Sequence, residues 1–241
     1  MLGPLKIATK YEVDALRLQI ISHFEAEWPD TLPAWDKLED QIESRFVEDD
    51  IITLGKLEPE PASVILLARR CDVPRLLPSA FYHLSRLSAA TRFEEDCCED
   101  GSEVLFPSFF GIRQRRRRSA FWSLLTRQDL DTLALGKERM GRWISKQARM
   151  LLCTSFTTQK AECRKGAALI WAQLQSDILM HMDILTSLRK LALALLDLDQ
   201  EVVGSLCHTC RFKLASSSMD RREQFFSLLP HFFGLDDDVM S

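Results

Sequence analysis

Glycine, proline and tyrosine are scarce in this sequence, and so are the β-branched residues that favour strands. The 241 residues include only 9 glycines, 9 prolines and 2 tyrosines, and leucine far outnumbers valine and isoleucine. Leucine favours helices, whereas valine, isoleucine and tyrosine favour strands. The composition therefore predicts a protein that is almost entirely helical.

The sequence also lacks an apolar run of about 18 residues, the length that a membrane-spanning helix needs. The longest apolar candidate begins at Leu188 and is interrupted by charges, among them Arg189 and Asp197. The first ten residues lack the apolar core of a secretory signal peptide. The net charge of -4 argues against a general nucleic-acid-binding protein, which is usually basic. We expect an intracellular protein with reduced thiols, in the cytoplasm, the nucleus or both.

Motifs of known catalytic sites are absent as well. The sequence contains no nucleophile elbow, no phosphate-binding glycine loop and no His-Glu-x-x-His motif. Histidines that lie in or near apolar helical patterns have no partner at the spacing of a metal site or a catalytic triad; these are His23, His83, His181 and His231. We therefore expect a protein that is not an enzyme and has no small-molecule substrate.

Helical patterns with defined ends recur along most of the chain. Pro61 and Pro78 each suit the first turn of a helix, where the missing backbone N–H leaves no hydrogen bond unmade. Thr126 and Asp129 have the spacing of a capping box, and Gly136 indicates a kink or a break in the helix that follows. These patterns predict an all-α fold: an irregular helical bundle with a disordered or irregular central insert.

Residues 91–119 form the predicted insert, because acidic and basic runs replace the helical pattern there. Cys97 and Cys98 lie among acidic residues, which favours exposed thiols without a function. Arg113–Arg118 could be a nuclear-localisation signal or contact phosphates, but a solvated loop is the preferred interpretation. We predict three parts: a helical region at 1–90, the charged insert at 91–119 and a helical domain at 120–241.

Four of the 7 cysteines form a candidate metal site: Cys153, Cys163, Cys207 and Cys210. A Cys-x-x-Cys pair can present two thiolates to one zinc ion, and His208 inside the pair could replace one of them. Against zinc, the sequence around the pair is typical of a helix interior, where residues three apart share a face. Core filling by buried thiols is the preferred interpretation. Zinc binding is the second, and a redox role, which a helix N-terminus would favour, is the third.

Several segments resemble a known family. The segment "LKIATKYEVDALR" at residues 5–17 resembles the last two helices of a BTB/POZ domain. Three further segments resemble the region that follows the BTB domain in many proteins of mushroom-forming fungi. They are "VILLARRCDVPRLLPSAFYHLSRL", "DLDTLALGKERM" and "LCHTC…LLPHFFGL". The resemblance covers most of the chain outside residues 91–119. It implies that residues 1–90 hold the C-terminal helices of a truncated BTB/POZ domain and the helical region after it.

This resemblance implies a function in protein–protein interaction. We expect an adaptor or oligomerisation scaffold that binds protein partners, itself included, without binding a specific nucleic acid or a membrane. BTB proteins often link targets to cullin-type ubiquitin ligases, although the dimerisation core is missing here. Apolar residues of the truncated helices, namely Ile7, Leu16 and Ile20, should face water and favour association. The alternative is a zinc-stabilised regulatory domain with a four-thiol site, which could act in the nucleus.

Overall fold

The computed structural model of the chain describes residue 11 and residues 13–48, 60–87, 120–154, 161–197 and 206–236. Every regular element within these residues is a helix, so the prediction of an all-α fold is confirmed. None of the described helices is both long enough and apolar enough to cross a membrane. The predicted insert, with Cys97, Cys98 and Arg113–Arg118, lies outside the described residues.

The helices follow one another with short connections wherever the chain is described. In chain order they are α1 (Asp14–Glu27), α2 (Leu32–Glu48), α3 (Pro61–Cys71), α4 (Leu77–Ser85), α5 (Arg127–Thr154), α6 (Ala161–His181), α7 (Ile184–Leu196), α8 (His208–Ser227) and α9 (Leu229–Phe232). Single 3-10 turns precede two of them, Pro74–Leu76 before α4 and Trp122–Leu124 before α5.

The described residues fall into two compact units. The first unit contains the described residues up to 87 together with 120–136 and 229–236. The second contains 137–154, 161–197 and 206–228. Helix α5 thus begins in the first unit and ends in the second. The predicted division at residues 90 and 119 stays a prediction, because both boundaries lie outside the described residues.

The first unit is built around α4, all of whose residues are buried. Burial on every side requires that other elements surround this short helix. Trp35 of α2 contacts Tyr82 with ring centroids 5.3 Å apart. Phe81 stacks on Phe233, which follows α9, at 5.4 Å. Aromatic side chains from distant parts of the sequence therefore meet on this one helix.

Local sequence signals set the ends of the helices in this unit. Pro61 is the first residue of α3, as predicted, and the Glu60 carboxylate accepts the backbone N–H groups of Ala62 and Ser63 at 2.9 and 2.6 Å. The same carboxylate accepts the N–H of Phe121 at 3.1 Å. Glu60 therefore caps α3 and also fixes the chain where it returns before α5.

The predicted capping box at the start of α5 is confirmed. The Thr126 hydroxyl lies 2.6 Å from the Asp129 carboxylate and accepts the Asp129 N–H at 3.2 Å. The carboxylate in turn accepts the Thr126 N–H at 3.0 Å, which completes the reciprocal pair. The predicted break at Gly136 does not occur, because α5 continues to Thr154. A Cβ at Gly136 would overlap the Phe233 ring, so the glycine makes room for that ring.

The second unit consists of α6, α7, α8 and the C-terminal part of α5. Helices α7 and α8 contact each other more extensively than any other pair of described helices. The buried Arg222 of α8 donates from Nε to the carbonyl oxygen of Leu185 at 2.8 Å and so joins α8 to the start of α7. Asp183 caps α7 through the N–H of Thr186. This packing brings the first turn of α6 close to the first turn of α8.

Candidate metal-binding site

Three of the four predicted ligands meet in the second unit. Cys163 lies in the first turn of α6, Cys207 is the N-cap of α8, and Cys210 lies in the first turn of α8. Their Sγ atoms all lie within 4.8 Å of one another, and those of Cys207 and Cys210 are 3.2 Å apart. The three cysteines could therefore hold one metal ion.

The prediction that the Cys-x-x-Cys pair lies in a helix interior is wrong for Cys207, which precedes the helix, whereas Cys210 lies in its first turn. Cys207 has extended backbone angles, φ -70° and ψ 159°, and α8 begins only at His208. The Cys-x-x-Cys pair thus spans the N-terminus of α8, where unpaired backbone N–H groups and the helix dipole favour negative charge. This is the position that the sequence analysis associated with reactive thiols rather than with core filling.

The three thiols differ in exposure. Cys163 and Cys210 are buried, whereas Cys207 is exposed to solvent. Two sulfur atoms therefore form the floor of the site and the third lies at its rim. A metal ion or a reagent in solution can reach the site from the side of Cys207.

The thiols also differ in acidity. The hydrogen bond with the Cys210 thiol lowers the pKa of Cys207 to about 7. Burial, together with the neighbouring thiols of Cys207 and Cys163, raises the pKa of Cys210 to about 12. As the pH rises, the exposed sulfur of Cys207 therefore ionises before the buried sulfur of Cys210.

The arrangement fits a small soft cation. Thiolates bind zinc at about 2.3 Å, which places two sulfur ligands of a tetrahedral site roughly 3.8 Å apart. A group of three sulfur atoms within 4.8 Å of one another needs only a small adjustment to reach that geometry. A tetrahedral ion with three protein ligands keeps a fourth position for a further ligand.

The fourth predicted ligand stays a prediction. Cys153 belongs to the last turn of α5, but its side chain lies outside the described residues. His208, the alternative ligand, is the first residue of α8 and is not a member of the group of three cysteines. The sequence pattern therefore identified the Cys-x-x-Cys pair and Cys163, while the source of a fourth ligand remains a prediction.

A second surface feature lies on α6, and it was not predicted from the sequence. Leu169 and Leu179 are 72% and 49% exposed, although other apolar residues of the same helix are buried. Ala172 and Ser176 lie between them on the same exposed face. The signal was present in the sequence, because apolar residues occur on both sides of this helix.

The apolar residues predicted to face water in the first unit are described only in part. Leu16 of α1 is exposed, as predicted, and so is its neighbour Leu18. Ile7 and the side chain of Ile20 lie outside the described residues.

No protein-family model, curated protein or solved structure matches this chain, so its function has to be inferred from its own residues.

Proposed function

We propose that this chain is a non-enzymatic helical scaffold that associates with a second copy of itself through the exposed face of α6. The observation that carries the proposal is the spacing of the exposed residues along that face. Leu169, Ala172, Ser176 and Leu179 are separated by three, four and three residues, the spacing of the seam between paired helices. Isolated exposed leucines are common on protein surfaces, but an ordered stripe along a helix is typical of an interface.

The stripe is complementary to itself. In an antiparallel pair with a two-fold axis at the level of residue 174, Leu169 of one copy faces Leu179 of the other. Ala172 faces Ser176 in the same register, so that small residues meet at the centre and large ones at both ends. Small side chains allow two helices to approach closely, and the flanking leucines then lose their contact with water. A two-fold interface requires this self-complementarity.

Polar side chains flank the same register. Gln173 would face Gln175 of the second copy, and their amide groups can both donate and accept hydrogen bonds. The resemblance to BTB/POZ proteins also supports the proposal, since it implies an adaptor or oligomerisation scaffold.

Sedimentation equilibrium with Leu169→Glu tests the proposal. We expect the unchanged chain to dimerise and Leu169→Glu to weaken association at least ten-fold, about 1.4 kcal/mol, because each dimer loses two buried leucines. Leu193→Glu is the matched control, since Leu193 is a similarly exposed leucine on α7. A chain that stays monomeric at high concentration, or equal effects of the two substitutions, would contradict the proposal.

The three-thiol cluster favours a second candidate function, a regulatory domain stabilised by zinc. Cys163 comes from one helix and the Cys207 and Cys210 pair from another, so a shared ion would join α6 to α8. When bound, zinc would supply a structural cross-link, and a nuclear location stays part of this proposal. The expected result is one equivalent of zinc in the purified chain and a lower melting temperature after chelation.

Two substitutions separate this candidate from simple core filling. Cys210→Ala should remove the zinc and the effect of the chelator. Cys71→Ala changes a buried cysteine of the first unit and should leave the zinc content unchanged. If no zinc is bound, or if zinc is retained in Cys210→Ala, the three cysteines do not form a zinc site.

A further inference from the structure

We propose that Cys207 and Cys210 form a thiol–disulfide switch that exchanges with low-molecular-weight disulfides such as glutathione disulfide. The proposal rests on where the three sulfur atoms lie and which of them solvent can reach. It does not depend on the self-association of the chain. Neither a disulfide nor a redox function follows from the proposed scaffold or from zinc binding.

The two sulfur atoms are already in contact. They lie 3.2 Å apart, whereas a disulfide bond is about 2.05 Å long, so roughly 1.2 Å of movement closes the bond. Cys207 precedes the helix and has extended backbone angles, so its side chain is not fixed within a helical turn. Both cysteines belong to one short segment at the start of α8. Closing the bond therefore leaves the packing of α8 against the other helices in place.

Exposure fixes the order of the reaction. Cys207 is the exposed member of the cluster, whereas Cys210 and Cys163 are buried. A disulfide in solution therefore meets Cys207 first, and Cys210 lies behind it as the resolving thiol. Reactive cysteines followed by a buried partner at the N-terminus of a helix are suited to this two-step exchange.

The exchange balances in atoms and electrons. In the first step the Cys207 sulfur attacks one sulfur of glutathione disulfide, and a mixed disulfide forms as one glutathione thiolate leaves and takes up the Cys207 proton. In the second step the Cys210 sulfur attacks the Cys207 sulfur and displaces the second glutathione, which receives the Cys210 proton. Two protein thiols are oxidised to one disulfide, and one glutathione disulfide is reduced to two thiols.

The switch and a metal ion would exclude each other. A disulfide removes two of the three thiolates, and Cys163 alone could not retain the ion. Oxidation would therefore release the metal, and a bound metal would protect Cys207. Only this consequence rests on the proposed zinc site; the exchange reaction itself does not.

Peptide mapping of the full chain tests the proposal. The reduced, chelator-treated protein is exposed to glutathione disulfide, and its free thiols are then blocked in acid. The masses of its tryptic peptides are measured by mass spectrometry. Trypsin releases Cys207 and Cys210 together in residues 191–211, and Cys163 separately in residues 161–164. We expect residues 191–211 to lose two hydrogens through an internal disulfide. A cross-link between the two peptides, or free thiols in both, would overturn the proposal.

Variants test the order of the two steps. Cys210→Ser should accumulate a mixed disulfide between glutathione and Cys207, because the resolving thiol is gone. Cys207→Ser should slow modification of the cluster at least about ten-fold, since the remaining thiols are buried. Cys71→Ala should leave the rate unchanged. Faster modification of Cys163 or Cys210 than of Cys207 in the folded chain would overturn the assigned order, and this measurement needs no substitution.

One equivalent of zinc added before the oxidant tests the coupling to metal. We expect at least about a ten-fold slower loss of the thiols of residues 191–211 if the ion occupies the same sulfur atoms. An unchanged rate, with the internal disulfide still forming, would overturn the proposed exclusion between metal and disulfide. It would leave the exchange reaction intact, so the two ideas fail separately.

Discussion

Arg86 donates two parallel hydrogen bonds, both of 2.9 Å, to the carboxylate of Glu39. The pair joins the C-cap of α4 to α2, and only 7% and 11% of the two side chains is exposed. The guanidinium also lies over the rings of Trp35 and Tyr82, at 5.6 and 5.8 Å. A planar fork that binds a carboxylate and stacks on aromatic rings is specific to arginine.

Breaking this pair should destabilise the first unit. Arg86→Ala leaves the Glu39 carboxylate buried without its guanidinium, and we expect a loss of about 3 kcal/mol in the free energy of unfolding. Urea denaturation followed by circular dichroism measures the change. Arg142→Ala is the control, because Arg142 pairs with Glu138 on the exposed surface of α5 and should change stability by less than about 1 kcal/mol. Equal effects would contradict the assignment of a buried, stabilising pair.

The two glycines of α5 should respond in opposite directions to alanine. In Gly136→Ala the new methyl group meets the buried ring of Phe233, and we expect a loss of about 2 kcal/mol. In Gly141→Ala the nearest atom belongs to Leu179 at 3.9 Å, an ordinary contact, so the better helix propensity should add up to about 1 kcal/mol. The melting temperatures of the two variants measure the difference. A stabilising Gly136→Ala would show that Phe233 does not pack against this helix.

The rate at which Cys207 is alkylated in the metal-free chain should rise with pH as its thiol ionises. Its pKa is lowered from 9.0 to about 7, so the thiolate that reacts forms as the pH rises through 7. We expect the rate at Cys207 to rise to a plateau above about pH 8, whereas the urea-unfolded chain should reach its midpoint about two pH units higher. Cys210→Ala removes the hydrogen bond that lowers the pKa and should move the midpoint upwards. A midpoint near 9 in the folded chain would contradict this prediction.

The sequence predicted those features that depend on neighbouring residues. Pro61 and the pair of Thr126 and Asp129 mark helix starts correctly, because a cap acts on the first turn that follows it. The start of α8 was not predictable in this way. Leu206, Cys210 and Leu214 are spaced as in a continuous helix, so the pattern extends across the point where the backbone becomes extended.

Contacts between distant residues could not be predicted from local patterns. Cys163 and Cys207 meet only because α6 and α8 pack in one unit, and their spacing in the sequence does not encode that packing. Gly136 suggested a break because glycine weakens an isolated helix. Its role became clear only from Phe233, almost a hundred residues later in the chain. The fold class was therefore predictable, but the geometry of the cluster and of the helix face was not.

Phe233 also sets the order in which the chain can fold during its synthesis. Its ring stacks on Phe81 in the first unit, but the ribosome makes the whole of the second unit before it reaches this residue. Phe81 therefore emerges long before the ring that covers it. The first unit cannot complete its core while residues 137–228 are still being translated. The two units therefore cannot complete their folding one after the other from the N-terminus.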